Sequence, residues 1–98
     1  MRRHDSDLTP AIAIHPGVIL KDEIDARGMT QKELAEKMRR PVQVVNLIIH
    51  GRKGISEDTA IDLEQAFDGE LTAEMWIQLD MNYRLDSARI RRQERKAS

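Results

Sequence analysis

Cysteine is absent from the 98 residues. This excludes disulfides, thiolate metal sites and cysteine nucleophiles, and it fits a reducing compartment. No apolar run approaches the roughly 20 residues that span a bilayer. The start, Met1-Arg2-Arg3-His4-Asp5-Ser6-Asp7, has no apolar stretch behind its charges, so neither a membrane helix nor a secretory leader is expected. His4, His15 and His50 stand apart without ligand-spaced partners, and no nucleophile–base pair or phosphate loop is visible. The expectation is a soluble, cytoplasmic binding protein with no metal, no cofactor and no enzymatic activity.

Gly and Pro are sparse, at five and three residues. Leu, Ile, Ala, Glu, Lys, Arg and Gln dominate, and all favour helix. One all-α domain is expected, since a chain this short buries a single modest core. The net charge of −1 conceals a block structure: residues 1–26 carry three basic and five acidic groups, 27–53 seven and two, 54–83 none and eight, and 84–98 six and two. Such asymmetry fits one surface that faces an anion and another that avoids it, although charge runs also serve simply as solvated faces.

Punctuation divides the chain into a flexible arm at 1–14, a five-helix domain at 15–85, and a helix extension or basic tail at 86–98. Pro16-Gly17 opens a first helix over about 17–27, stopped at Gly28. Thr30-Gln31-Lys32-Glu33 matches a capping box, with Met29 and Leu34 as the staple around it, and predicts a second helix over about 31–38. Arg39-Arg40 makes a short turn, and Pro41 suits the first position of a third helix ending near Ile49, with Val45, Ile48 and Ile49 inward. Ser56 and Thr72 cap two further helices, the last of which dissolves from Arg84 onward. Trp76 and Tyr83, at helical spacing beside Leu79, are core or dimer-interface residues rather than a ligand cage.

Two short helices joined by a tight turn with basic margins form a helix-turn-helix, a unit whose second helix fits the DNA major groove. Gln43 and Asn46 lie opposite the buried aliphatics, and amides of this kind pair bidentately with adenine. Gln31 sits at the positive end of the second helix, within reach of a phosphate. Arg39 and Arg40 are expected to face phosphate, with Glu36 an alternative partner for Arg40. Arg52 and Lys53 suit the DNA backbone or a solvated loop. The carboxylates of 57–80 are read as keeping that face off DNA or meeting a basic partner.

Three runs carry a resemblance: His15-Pro16-Gly17-x-Ile19-Leu20, Met29-Thr30-Gln31-Lys32-Glu33-Leu34-Ala35-Glu36-Lys37-Met38, and Ile49-His50-Gly51-Arg52-Lys53-Gly54-Ile55-Ser56. Together with Thr59-Ala60, Met75-Trp76-Ile77-Gln78-Leu79 and Tyr83, they resemble the lambda-repressor-like, xenobiotic-response-element class of helix-turn-helix proteins. Within that class the nearest likeness is to HigA-type antitoxins, over about residues 15–85. The resemblance implies that Gln31 touches phosphate, Gln43 and Asn46 reach bases, and Arg52 and Lys53 flank the DNA backbone. It implies a homodimer on a palindromic double-stranded operator. It further implies neutralisation, by direct binding, of a cognate small basic toxin that cleaves messenger RNA, and repression of the shared operon.

The chain departs from that pattern at Arg39 and Arg40, where the family often has Gly and an aliphatic residue, and at Pro41, where it often has a Ser cap. Val42 and Val44 replace frequently polar positions; each can meet a thymine methyl but cannot donate to a base. These departures motivate a second reading, a partner-binding scaffold with weak DNA recognition. A repressor without a toxin is a third.

Overall fold

The computed structural model describes residues 10–97, in five helices: α1 (Pro16–Ala26), α2 (Gln31–Met38), α3 (Val42–Ile49), α4 (Glu57–Ala66) and α5 (Ala73–Ala97). No strand occurs among the described residues, and the class is all-α as expected. The arm expected at 1–14 lies outside them up to residue 9.

Each of the first four helices ends the same way. The closing backbone donors are Met29 N–H to Ile24, Arg40 N–H to Ala35, Arg52 N–H to Leu47 and Gly69 N–H to Glu64, each reaching five residues back. This closure requires one residue in the left-handed region. Gly28 and Gly51 fill it at φ 63° and 73°, whereas Arg39 and Asp68 hold φ 57° and 55° with a Cβ. For those two residues the conformation costs about 1 kcal/mol or more apiece.

The helix starts are more varied. Thr30 Oγ1 accepts from Glu33 N–H, and the Glu33 carboxylate accepts from Thr30 N–H, closing the expected capping box. Ser56 and Thr72 cap α4 and α5 through their hydroxyls. The expected placement of Pro41 inside α3 is corrected: at φ −59°, ψ 146° it stands before the helix as an extended cap residue that makes no side-chain hydrogen bond. His15, read as isolated, caps α1 instead, its Nδ1 accepting from Gly17 N–H at 2.9 Å.

The core gathers apolar residues from all five helices, including Leu20, Leu34, Val45, Leu63 and Trp76, all fully buried. Trp76 stacks on Phe67, with ring centroids 6.3 Å apart, and the Arg27 guanidinium lies over the Phe67 ring, 4.8 Å from its centroid. Tyr83 is only partly buried and meets His15 edge-on. At Gly17 an added Cβ would fall 1.9 Å from the Ile48 carbonyl oxygen, so α1 and α3 approach backbone to backbone.

α5 does not dissolve at Arg84 but continues to Ala97. Its last third is polar, so apolar periodicity does not announce it. Ala, Arg, Gln, Glu and Lys are good helix formers, an Asp86–Arg89 pair spans one turn at 3.8 Å, and Arg95 and Lys96 suit the negative end of the helix dipole.

Candidate nucleic-acid interface

α2 and α3 pack against each other across the Arg39-Arg40-Pro41 turn. Val45 and Ile48 are fully buried and fix the roll of α3 about its axis. That roll leaves Val42, Gln43, Asn46, Leu47 and His50 exposed on one side. Ile49, expected inward, is half-buried.

Gln43 and Asn46 therefore lie on the solvent side, as their spacing predicts. Asn46 is not free: its Nδ2 donates to Gln31 Oε1 at 3.2 Å, joining the first residue of α2 to the middle of α3. His50 Nδ1 lies 2.9 Å from the Asn46 carbonyl oxygen. A candidate reading surface thus combines two amides on α3 with a third at the start of α2. The α2 start is ordered by its capping box, in which the Thr30 backbone N–H holds the Glu33 carboxyl below its ordinary range.

Two candidates change character. Val44 is half-buried and packs against the core, so it is turned toward the protein and stands away from the exposed side. Arg40 pairs with Asp62 on α4 at 2.7 Å rather than with Glu36, because the left-handed Arg39 swings the chain toward α4. Arg39 itself stays exposed, as do Val42, Arg52 and Lys53. Leu47 and His50 belong to the exposed side without having been singled out, although each is a helical turn from Gln43 or Asn46 and shares their face.

The loop carrying Arg52 and Lys53 is held by a buried carboxylate. Asp80 on α5 is buried, and its Oδ1 accepts from Ile55 N–H at 3.0 Å while its Oδ2 accepts from Arg84 Nε at 3.0 Å. An added Cβ at Gly54 would lie 2.9 Å from the same Oδ1, so the chain passes very close to the carboxylate. His15 lines the same cavity as Arg52, Lys53, Gly54 and Asp80. Burial pushes its pKa below the ordinary value, against the opposing pull of Asp80 and of the Lys53 backbone. The neutral ring is the one that can cap α1, since its Nδ1 must accept. Asp80 belongs to the acidic 57–80 stretch expected to keep DNA away or to meet a basic partner, but it is buried and anchors a loop.

Among the described residues no group of three or more His, Asp or Glu side chains is arranged to hold a metal ion, and no helix is long and apolar enough to cross a membrane.

Comparison with known proteins points the same way. A helix-turn-helix family model matches residues 20–73. Virulence-associated protein I of Dichelobacter nodosus is 34% identical over 78% of this chain and 69% of its own length. An addiction module antidote protein of the HigA family from Coxiella burnetii superposes with a TM-score of 0.77 at 30% identity, covering 86% of this chain and 90% of that one. The Pseudomonas aeruginosa antitoxin HigA, solved with the higBA promoter, gives 0.76 at 33% identity, covering 85% and 89%.

Proposed function

This chain belongs to the helix-turn-helix family, in its HigA-like branch, and from that premise we propose that it is an antitoxin that binds the operator of its own operon as a homodimer and represses it. The observation that carries this reading is the roll of α3: Val45 and Ile48 are fully buried, while Gln43 and Asn46 stand exposed beside Gln31. An eight-residue helix with this partition fits a major groove, with amides toward base edges. Arg39, Arg52 and Lys53 supply cations at its margins for the DNA backbone. A two-fold dimer places two such helices about one DNA turn apart, which calls for a palindromic site.

The antitoxin half of the proposal is direct binding and neutralisation of a small basic toxin that cleaves messenger RNA. The exposed Glu57, Asp58, Asp68, Glu70 and Glu74 supply complementary charge for such a protein. A second reading, a partner-binding scaffold with little DNA recognition, draws on two observations. Val42 and Leu47 place apolar side chains on the exposed side of α3, and Asp62 engages Arg40.

Binding to the upstream inverted repeat, measured against salt, tests the proposal. Affinity should fall steeply as salt rises. Gln43→Ala should relax base preference, whereas Lys53→Ala should weaken all sequences alike. Absence of any shift at low salt, with or without toxin, would favour the scaffold.

A further inference from the structure

The eight residues of α3, Val-Gln-Val-Val-Asn-Leu-Ile-Ile, carry no charge, in a chain of which 34% is charged. The nearest cations in sequence, Arg39, Arg52 and Lys53, lie in the turn before the helix and the loop after it, and Arg40 is held by Asp62. The bidentate partner of guanine is an Arg or Lys, so the exposed side of this helix has no group for it. What it does display is ordered. At 3.6 residues per turn, Val42, Asn46, His50, Gln43 and Leu47 follow one another around about 140° of the helix, an apolar residue at either edge and polar groups between. Val42 and Leu47 are 39% and 40% exposed, which leaves both edges of the strip apolar and bare.

Two of the polar groups between those edges are set to accept. Asn46 commits one Nδ2 proton to Gln31 Oε1, which leaves its own Oδ1 outward beside one N–H. His50 Nδ1 lies 2.9 Å from the Asn46 carbonyl oxygen; a carbonyl only accepts, so Nδ1 donates and the Nε2 of the neutral ring is left as an acceptor. In the major groove adenine offers a donor at N6 beside an acceptor at N7, and thymine a methyl group beside O4, whereas guanine shows acceptors alone. An outward oxygen flanked by an N–H matches adenine and opposes guanine O6. To suit guanine the Asn46 amide would have to turn over, and its bond to Gln31 would hold only if Gln31 turned with it.

We propose that α3 reads a short run of A·T pairs in each half-site, with Asn46 and Gln43 on adenines, Val42 and Leu47 on thymine methyl groups, and no guanine contacted by the helix. The proposal names the sequence class for the DNA-binding part of the preceding reading and rests on that part alone.

Selection from a random duplex DNA pool by the full chain at low salt, followed by titration of the recovered duplex, tests it. The recovered half-site should be A·T at the positions whose base preference shifts in Gln43→Ala, Asn46→Ala or Leu47→Ala. Replacing single thymines by deoxyuridine, which lacks only the methyl group, should weaken wild-type binding by about fourfold wherever Val42 or Leu47 makes contact. Leu47→Ala should bind one of those deoxyuridine duplexes as well as its thymine parent. Asn46→Ala should lose about tenfold of the preference for adenine over guanine at one position. The substituted side chains are exposed, and unchanged melting temperatures separate lost reading from lost folding. Guanine preferred at those positions, or deoxyuridine without effect at every thymine, would overturn the proposal and leave the DNA-binding reading standing. A pool from which nothing is recovered would overturn both.

Discussion

Asn46 on α3 donates its side-chain amide to the Oε1 of Gln31, the first residue of α2, across 3.2 Å. Two groups that sequence assigns to separate tasks, one to a base and one to a phosphate, thus share a hydrogen bond. The bond fixes which way each amide points: Gln31 keeps its nitrogen outward, and Asn46 keeps its oxygen outward and one N–H to spare.

From this the energetics of operator binding should be coupled at the two positions. If the proposed function holds, single alanine substitutions at Gln31 and Asn46 should each lose a DNA contact and also loosen the other amide. The double variant should therefore lose less than the two singles combined, by about 0.5–3 kcal/mol. Binding titrations with the four proteins of the cycle measure the difference; strict additivity would show that the bond does not survive in the complex.

Arg39 holds a backbone conformation that glycine adopts without a Cβ penalty, at φ 57°. Arg39→Gly should raise stability by about 0.5–1 kcal/mol in urea unfolding. The same change removes an exposed cation beside α3, so operator affinity should fall most at low salt. Stability and binding would then move in opposite directions, and a parallel loss of both would count against the backbone argument.

Asp80→Ala leaves the Ile55 N–H buried without its acceptor and should destabilise by about 1–3 kcal/mol. Asp80→Asn keeps an oxygen for that donor and gives up only the charge opposite Arg84, so its cost should be smaller. Chemical denaturation distinguishes the two. Equal losses would place the value of Asp80 in its ion pair and not in the loop.

The cap made by His15 carries a pH dependence of known sign. Its folded-state pKa lies below the ordinary 6.5, chiefly through burial, so the unfolded chain binds the proton more readily. The His15 contribution is complete above 6.5 and declines as the pH falls below it, levelling off once the folded ring is also protonated. Protonation additionally removes the acceptor used by Gly17 N–H. Unfolding free energies across that range should slope upward with pH, and His15→Ala should flatten the slope; an unaltered slope would assign it to other groups.

Much of this arrangement was legible because it is local. A Thr followed three residues later by Glu announces the start of α2, and the spacing of Val45 and Ile48 sets the buried side of α3, so Gln43 and Asn46 could be placed outward. What escaped was long-range or written in residues with little directional preference. Arg40 finds Asp62 in another helix, and Asp80 reaches a backbone donor 25 positions away. The final turns of α5 are polar on every side, so they carry no stripe to read. His15 is an unusual cap residue, and nothing in its neighbours signals that its ring accepts a hydrogen bond. Val44 sits at the margin of the buried sector, where a period of 3.6 does not discriminate.

The near contact of Gly17 with the Ile48 carbonyl bears on how this scaffold diversifies. Because α1 grips the rear of α3 through main-chain atoms, where no side chain can be exchanged without a clash, the helix is seated independently of what it displays in front. Val42, Gln43, Asn46 and Leu47 are then replaceable lettering on a fixed printing block. Grafting a different quartet should redirect target choice while the melting temperature stays put, whereas even one methyl group at Gly17 would unseat the block itself.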